Sequence, residues 1–177
     1  MRATLRCARA LLIVGLVISL VMGCSRQGPD EIDTLVKEIV ENCNGTLGKL
    51  SEERKQFASD GNARGKQLMK NAATNVKITK QKSLSVKRAS DPSGKAGALM
   101  SSALADSPVS PQKAQAEMQE KLKGIQGAMN ALEGNVAAAE KCCGLAPNFL
   151  ANNLRTLRDQ TSQLEEQVDE FMDNQYA

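Results

Sequence analysis

The chain contains no histidine or tryptophan, and Phe57, Phe149, Phe171 and Tyr176 are its only aromatic residues. Without histidine, neither a Ser-His nor a Cys-His nucleophile pair can be assembled. Metal binding is not expected either, because adjacent Cys142-Cys143 lacks the ligand spacing of a structural zinc site. Neither a P-loop nor a dinucleotide-binding glycine fingerprint occurs. The carboxylate pairs Glu52-Glu53 and Glu165-Glu166 read as solvated helix faces. No catalytic residue, cofactor or small-molecule substrate is therefore expected. The paucity of aromatic and β-branched alternation argues against strands. Long apolar runs are missing too. The longest, Ala10 to Met22, has 13 residues broken by Gly15 and Ser19, short of the roughly 20 that a bilayer-spanning helix needs.

What is present at the start has a direct reading. Arg2, Arg6 and Arg9 precede that apolar run, and Val21-Met22-Gly23-Cys24-Ser25 follows within it and after it. A positive n-region, a short apolar h-region and a small residue before the cleavage point make a signal peptide. Val21 to Cys24 resembles the lipobox of bacterial prolipoproteins. The resemblance implies removal of residues 1–23, thioether attachment of diacylglycerol to Cys24 and acylation of the new amino terminus. In Gram-negative members an Asp after the cysteine retains the protein in the inner membrane. Ser25 therefore implies the outer membrane if the cell is Gram-negative. Each buried methylene contributes about 0.8 kcal/mol, and stable anchoring takes more than one acyl chain. A di- or triacylated Cys24 would hold the protein on its membrane.

Loss of residues 1–23 leaves 154 residues with 20 basic and 20 acidic side chains. The charges are unevenly placed: net −4 over residues 24–53, +9 over 54–95 and −5 over 96–177. Either the acidic flanks neutralise the basic middle within the folded chain, or the basic stretch docks an anionic partner. Candidate partners are lipid headgroups, lipopolysaccharide and an acidic protein. Nucleic acid fits poorly, since Phe57 is the one aromatic in the stretch available for base stacking.

Helix dominates the remainder. Met118, Leu122, Ile125, Met129, Leu132, Val136, Ala139 and Cys143 recur in alternating steps of four and three, a heptad stripe. Leu150, Leu154, Leu157, Thr161, Leu164, Val168 and Phe171 make a second stripe after Gly144-Leu145-Ala146-Pro147. Glycine suits the end of one helix and proline the first turn of the next. The pattern predicts an antiparallel helical hairpin over residues 112–175. Residues 30–90 read as an N-terminal helical region. Ile32, Val36, Ile39, Cys43, Thr46, Leu50 and Phe57 form its first amphipathic stripe, and Gly45 and Gly48 are expected to kink or end that helix. Residues 63–88 are weaker: Leu68, Met69, Ala72, Ala73 and Val76 give one patch, after which the pattern fades, which predicts a marginal helix there. Residues 24–29 read as lipidated cysteine plus tether, and residues 91–111, rich in Ser, Ala, Gly and Pro, as a linker. The expected fold is all-α: a coiled-coil-like hairpin plus an N-terminal amphipathic helix in a small bundle. Its stripes serve an internal core, a partner helix or self-association.

Cys43, Cys142 and Cys143 remain after Cys24 is assigned to lipid and Cys7 leaves with the signal. Export permits disulfides. Cys43 and Cys143 share stripe positions, so a Cys43–Cys143 bridge, or nearly as well Cys43–Cys142, would clip the first helix to the hairpin tip. Such a bridge would contribute about 4–5 kcal/mol in the chain-entropy model. Three reduced, buried thiols are the alternative. The expected function is that of a lipid-anchored envelope protein working by protein–protein contact as a structural, assembly or secretion accessory. The alternatives are a surface-exposed helical adhesin or antigen and a spanin-like lysis component.

Overall fold

The seven-residue rhythm becomes four α-helices. The computed structural model describes residues 27–90 and 111–176 and contains α1 (Gln27–Ser59), α2 (Ala63–Ser90), α3 (Pro111–Cys143) and α4 (Ala151–Tyr176). The signal peptide, Cys24 and all of the expected linker except Pro111, which opens α3, lie outside the described residues.

The apolar stripes all point inward. Ile32, Val36, Ile39, Cys43 and Leu50 of α1 are fully buried, as are Leu157, Leu164 and Val168 of α4. The α3 stripe is buried from Met118 to Ala139, with Cys143 partly covered. Helix α1 packs on α2 and α4, α2 packs on α1 and α3, and the α3–α4 seam is the lightest. The α1–α3 and α2–α4 pairs make no comparable contact, so these helices occupy diagonal corners. Cross-bundle pairs give the directions: Lys87 of α2 meets Asp33 of α1, and Gln160 of α4 meets Asn42 of α1. Asn62 at the start of α2 reaches Cys143 at the end of α3. The result is an up-down-up-down four-helix bundle.

The N-terminal helical region is two helices, divided at Asp60-Gly61-Asn62, where Gly61 takes φ 70°. Two sequence expectations need correction. Helix α1 passes through Gly45 and Gly48 without a break. Both glycines are exposed while Cys43, Thr46 and Leu50 between and beside them are buried, so packing of the inner stripe overrides the local propensity. Helix α2 is not marginal. It runs to Ser90 on the buried set Gly65, Met69, Ala72, Val76, Thr79, Ser83, Val86 and Ser90, an unbroken heptad in which hydroxyl residues replace apolar ones. Each hydroxyl finds a carbonyl in its own helix: Thr79 donates to Asn75 (3.1 Å), Ser83 to Thr79 (2.9 Å) and Ser90 to Lys87 (3.0 Å). Burial then leaves no orphaned polar atom on that stripe.

The α3–α4 connection differs in detail from the sequence reading. Gly144 ends α3 with φ 79°, the left-handed conformation that glycine adopts without a Cβ clash. Pro147, however, sits in a turn preceding α4 rather than in its first helical turn. Helix α1 includes Gln27 to Pro29, the described part of the expected 24–29 tether.

Candidate functional site: a charge-segregated bundle surface

The structure separates the candidate cysteines. Cys142 and Cys143 are disulfide-bonded to each other, and Cys43 is a free thiol. The Cys43–Cys143 and Cys43–Cys142 clips are excluded by height in this fold. Asn62 donates from Nδ2 to the Cys143 carbonyl at 3.1 Å, which places the end of α3 level with the α1–α2 turn. Cys43 lies 16 residues before the end of α1, roughly 24 Å along the axis at 1.5 Å per residue. A disulfide tolerates Cα atoms no more than about 7 Å apart. Cys43 is fully buried, and burial pushes its thiol up to about 12 against a weaker opposing effect of Lys80. It is a protonated, unreactive core residue.

Among the described residues, no group of three or more His, Cys, Asp and Glu side chains converges as a metal site would require. The recess between α1 and α2 is lined by Val36, Val40 and Leu84 and rimmed by Lys37, Glu41 and Lys87. The α3–α4 seam is polar instead. Gln126 donates to Glu165 at 2.6 Å, and Arg158 Nε donates to Glu133 at 2.9 Å in a two-pronged contact. Asn62 is the busiest polar residue of the distal end. Its Oδ1 accepts the Gly65 amide at 2.8 Å, capping α2, while its Nδ2 holds the last carbonyl of α3.

The outer surface is where the molecule becomes asymmetric. Helix α2 carries Arg64, Lys66, Lys70, Lys77, Lys80, Lys82, Lys87 and Arg88, and no acidic residue. Of these, Lys87 alone makes a salt bridge among the described residues, to Asp33. The hydrogen bond from Lys37, and after it that from Lys87, holds the Asp33 carboxyl below the usual aspartate value. Among the described residues, direct ion pairing of the α2 cations therefore amounts to one contact. At 3.6 residues per turn, Lys66, Lys70, Lys77, Lys80, Lys87 and Arg88 fall within an arc of about 100°. This arc is on the α1-facing shoulder of α2, as Lys80 donating to Asn44 at 2.8 Å and the Lys87–Asp33 pair show.

Helix α4 carries the opposite sign. Arg155 and Arg158 are outnumbered by Asp159, Glu165, Glu166, Asp169, Glu170 and Asp173. Asp159, Glu166, Asp169, Glu170 and Asp173 are exposed and face away from buried Leu157, Leu164 and Val168. The α1 side of the basic shoulder adds Asp33, Lys37 and Glu41, which change its balance little. Basic α2 and acidic α4 thus stand on diagonal corners of one bundle.

The basic middle was legible as a charge run. The acidic stripe of α4 was not singled out, although Asp159, Glu166 and Asp173 recur at intervals of seven, the signal that would have found it. No described helix is long and apolar enough to cross a membrane. No protein-family model, curated protein or solved structure matches the chain.

Proposed function

We propose that the protein is a bacterial envelope lipoprotein, held on its membrane through Cys24, whose helical bundle acts as a structural or accessory module by protein–protein contact. The observation that carries this reading is the use of the apolar stripes. They are spent on one another inside the bundle, leaving charged outer faces. Such a surface suits recognition of macromolecules. The position of α1 supports it as well: the helix starts three residues after Cys24, so the bundle would stand close to the lipid headgroups.

Cys24→Ala tests the anchor. The expected result is release from the membrane fraction or accumulation of the uncleaved precursor. A variant that matures normally and stays in the membrane fraction would refute the lipid attachment. Protease digestion of intact cells carrying a tag after Ala177 then assigns the side. Protection until the envelope is opened supports a periplasm-facing accessory protein, whereas digestion with a periplasmic control spared transfers the reading to a surface adhesin.

A further inference from the structure

We infer that the basic shoulder of α2 is a docking surface for the acidic stripe of α4 on a second copy of this chain, so that bundles associate side by side. The two stripes cannot pair within one molecule, because α2 and α4 hold diagonal corners. Between molecules they complement each other in sign, direction and height. Both helices run antiparallel to α1, as Lys87 meeting Asp33 and Lys80 meeting Asn44 establish for α2. Gln160 meeting Asn42 and Asn153 meeting Lys49 establish it for α4.

Their levels also coincide. Lys80 reaches Asn44, and Asn42 donates to Gln160 at 2.8 Å. Lys80 and Gln160 therefore share a height on the bundle. From that height both helices continue toward the end at which α1 starts. Lys77, Lys80, Lys87 and Arg88 on one copy then stand opposite Asp159, Glu166, Asp169, Glu170 and Asp173 on a parallel neighbour. Copies anchored through Cys24 would be held upright at one level, a condition that rests on the lipoprotein reading.

Two further features favour a second copy as the occupant. The chain after Cys24 is formally neutral, with 20 charges of each sign, so net repulsion does not oppose association. Three of these four cations are also uncommitted: Lys77 and Arg88 are exposed, and Lys80 binds only a neutral amide, while Lys87 is paired with Asp33. A contact between two different patches is heterologous. It therefore builds rows rather than stopping at a dimer. Tethering to one surface raises the effective concentration of each bundle for its neighbour.

The test uses the full-length chain in the cell fraction where it resides, with a zero-length carbodiimide that joins a lysine amine to a touching carboxylate. The expected wild-type result is a ladder extending beyond the dimer at low ionic strength. It should fade at about 1 M salt, where the screening length is about 3 Å. Two charge-reversed variants change exposed or half-exposed positions, K77E/K80E/R88E on α2 and E166K/E170K/D173K on α4. Each alone should weaken the ladder roughly tenfold or more, and co-expression of the two should restore it. Retained helicity and melting temperature show that the variants still fold.

A ladder unchanged by either reversal overturns the proposal, as does absence of a ladder at low salt. So does a wild-type chain that stays monomeric yet binds anionic phospholipid vesicles through the α2 cations, since the shoulder would then serve lipid. Fractionation of the same samples reads the anchor separately. A chain missing from the membrane fraction refutes Cys24 attachment, while the ladder in whichever fraction holds the chain still judges the pairing.

Discussion

Glycines on different faces of these helices should respond to alanine with opposite signs. A Cβ built on Gly45, Gly48, Gly127 or Gly134 meets no atom within 4 Å, and all four positions are exposed within α1 or α3. Glycine costs about 1 kcal/mol relative to alanine in a helix interior, so the quadruple alanine variant should gain about 3–4 kcal/mol. Separate sites with no shared partners add closely. For a domain of this size each kcal/mol moves Tm by about 2–4 °C, which predicts a rise of roughly 6–16 °C in thermal unfolding followed by circular dichroism. At Gly65 the same change places Cβ 2.7, 2.8 and 2.9 Å from Cγ, Cδ1 and Cδ2 of Phe57. The ring is 4 % exposed and cannot swing clear without moving α1 against α2. Overpacking costs about 1–3 kcal/mol and outweighs any propensity gain in the first turn, so Gly65→Ala should lower Tm. Phe57→Leu combined with Gly65→Ala should cost less than the sum of the two single changes. A quadruple variant that melts no higher than wild type, or a Gly65→Ala variant that melts higher, would refute the packing argument.

Two further outcomes follow from the distal end and the cysteines. Asn62→Ala should cost about 1–2 kcal/mol in chemical denaturation through loss of the α2 cap, whereas Asn62→Asp, which keeps an accepting oxygen toward the Gly65 amide, should retain most of that stability and lose only the donor to Cys143. Equal losses in the two variants would show that the cap is not what Asn62 supplies. Reduction of Cys142–Cys143 should leave Tm nearly unchanged, because bridging consecutive residues closes no long loop. A large drop would indicate that Cys43 is bridged after all. Cys43 should resist thiol reagents until the chain is unfolded. Its thiol pKa is raised on folding from 9.0 to about 12, so its protonated form stabilises the fold fully below pH 9, and that contribution is lost as pH climbs from about 9 towards 12. In Cys43→Ala this alkaline loss should be reduced.

Much of the fold was legible because three helices carry their burial in apolar residues. Leu122, Ile125, Met129, Leu132 and Val136 need only the seven-residue rhythm to be found, and all five are buried. The α1–α2 division was legible as the gap between the stripe that ends at Phe57 and the helix expected from residue 63. Gly45 and Gly48 are the conspicuous glycines of the first helix, yet the turn forms at Gly61, where Asn62 supplies a cap. Local composition marks where a chain can turn, and the buried stripe decides where it does. The cysteine pairing failed for a related reason. Equivalent stripe positions show that Cys43 and Cys143 face inward, but not that they share a height, which depends on where each helix starts and stops.

Helix α2 shows why hydropathy alone loses the thread. Its stripe from Thr79 to Ser90 holds three hydroxyl residues and one valine, and a periodicity search weighted toward apolar side chains sees it fade. A serine or threonine whose hydroxyl donates to a carbonyl one turn back presents a small side chain with its polar atom satisfied. Such a stripe lets α2 lie against both α1 and α3, its two heaviest contacts. Close packing on that inner side confines all eight cations to the shoulders and outer face of the helix. A leucine-rich stripe would have announced the helix in the sequence. The hydroxyl stripe hides it there, although the same heptad brings Lys66, Lys80 and Lys87 to one side at intervals of 14 and 7 residues. Core and charged shoulder are thus two readings of a single repeat, and the register that buries Thr79 and Ser83 is the register that exposes the cations to a neighbour.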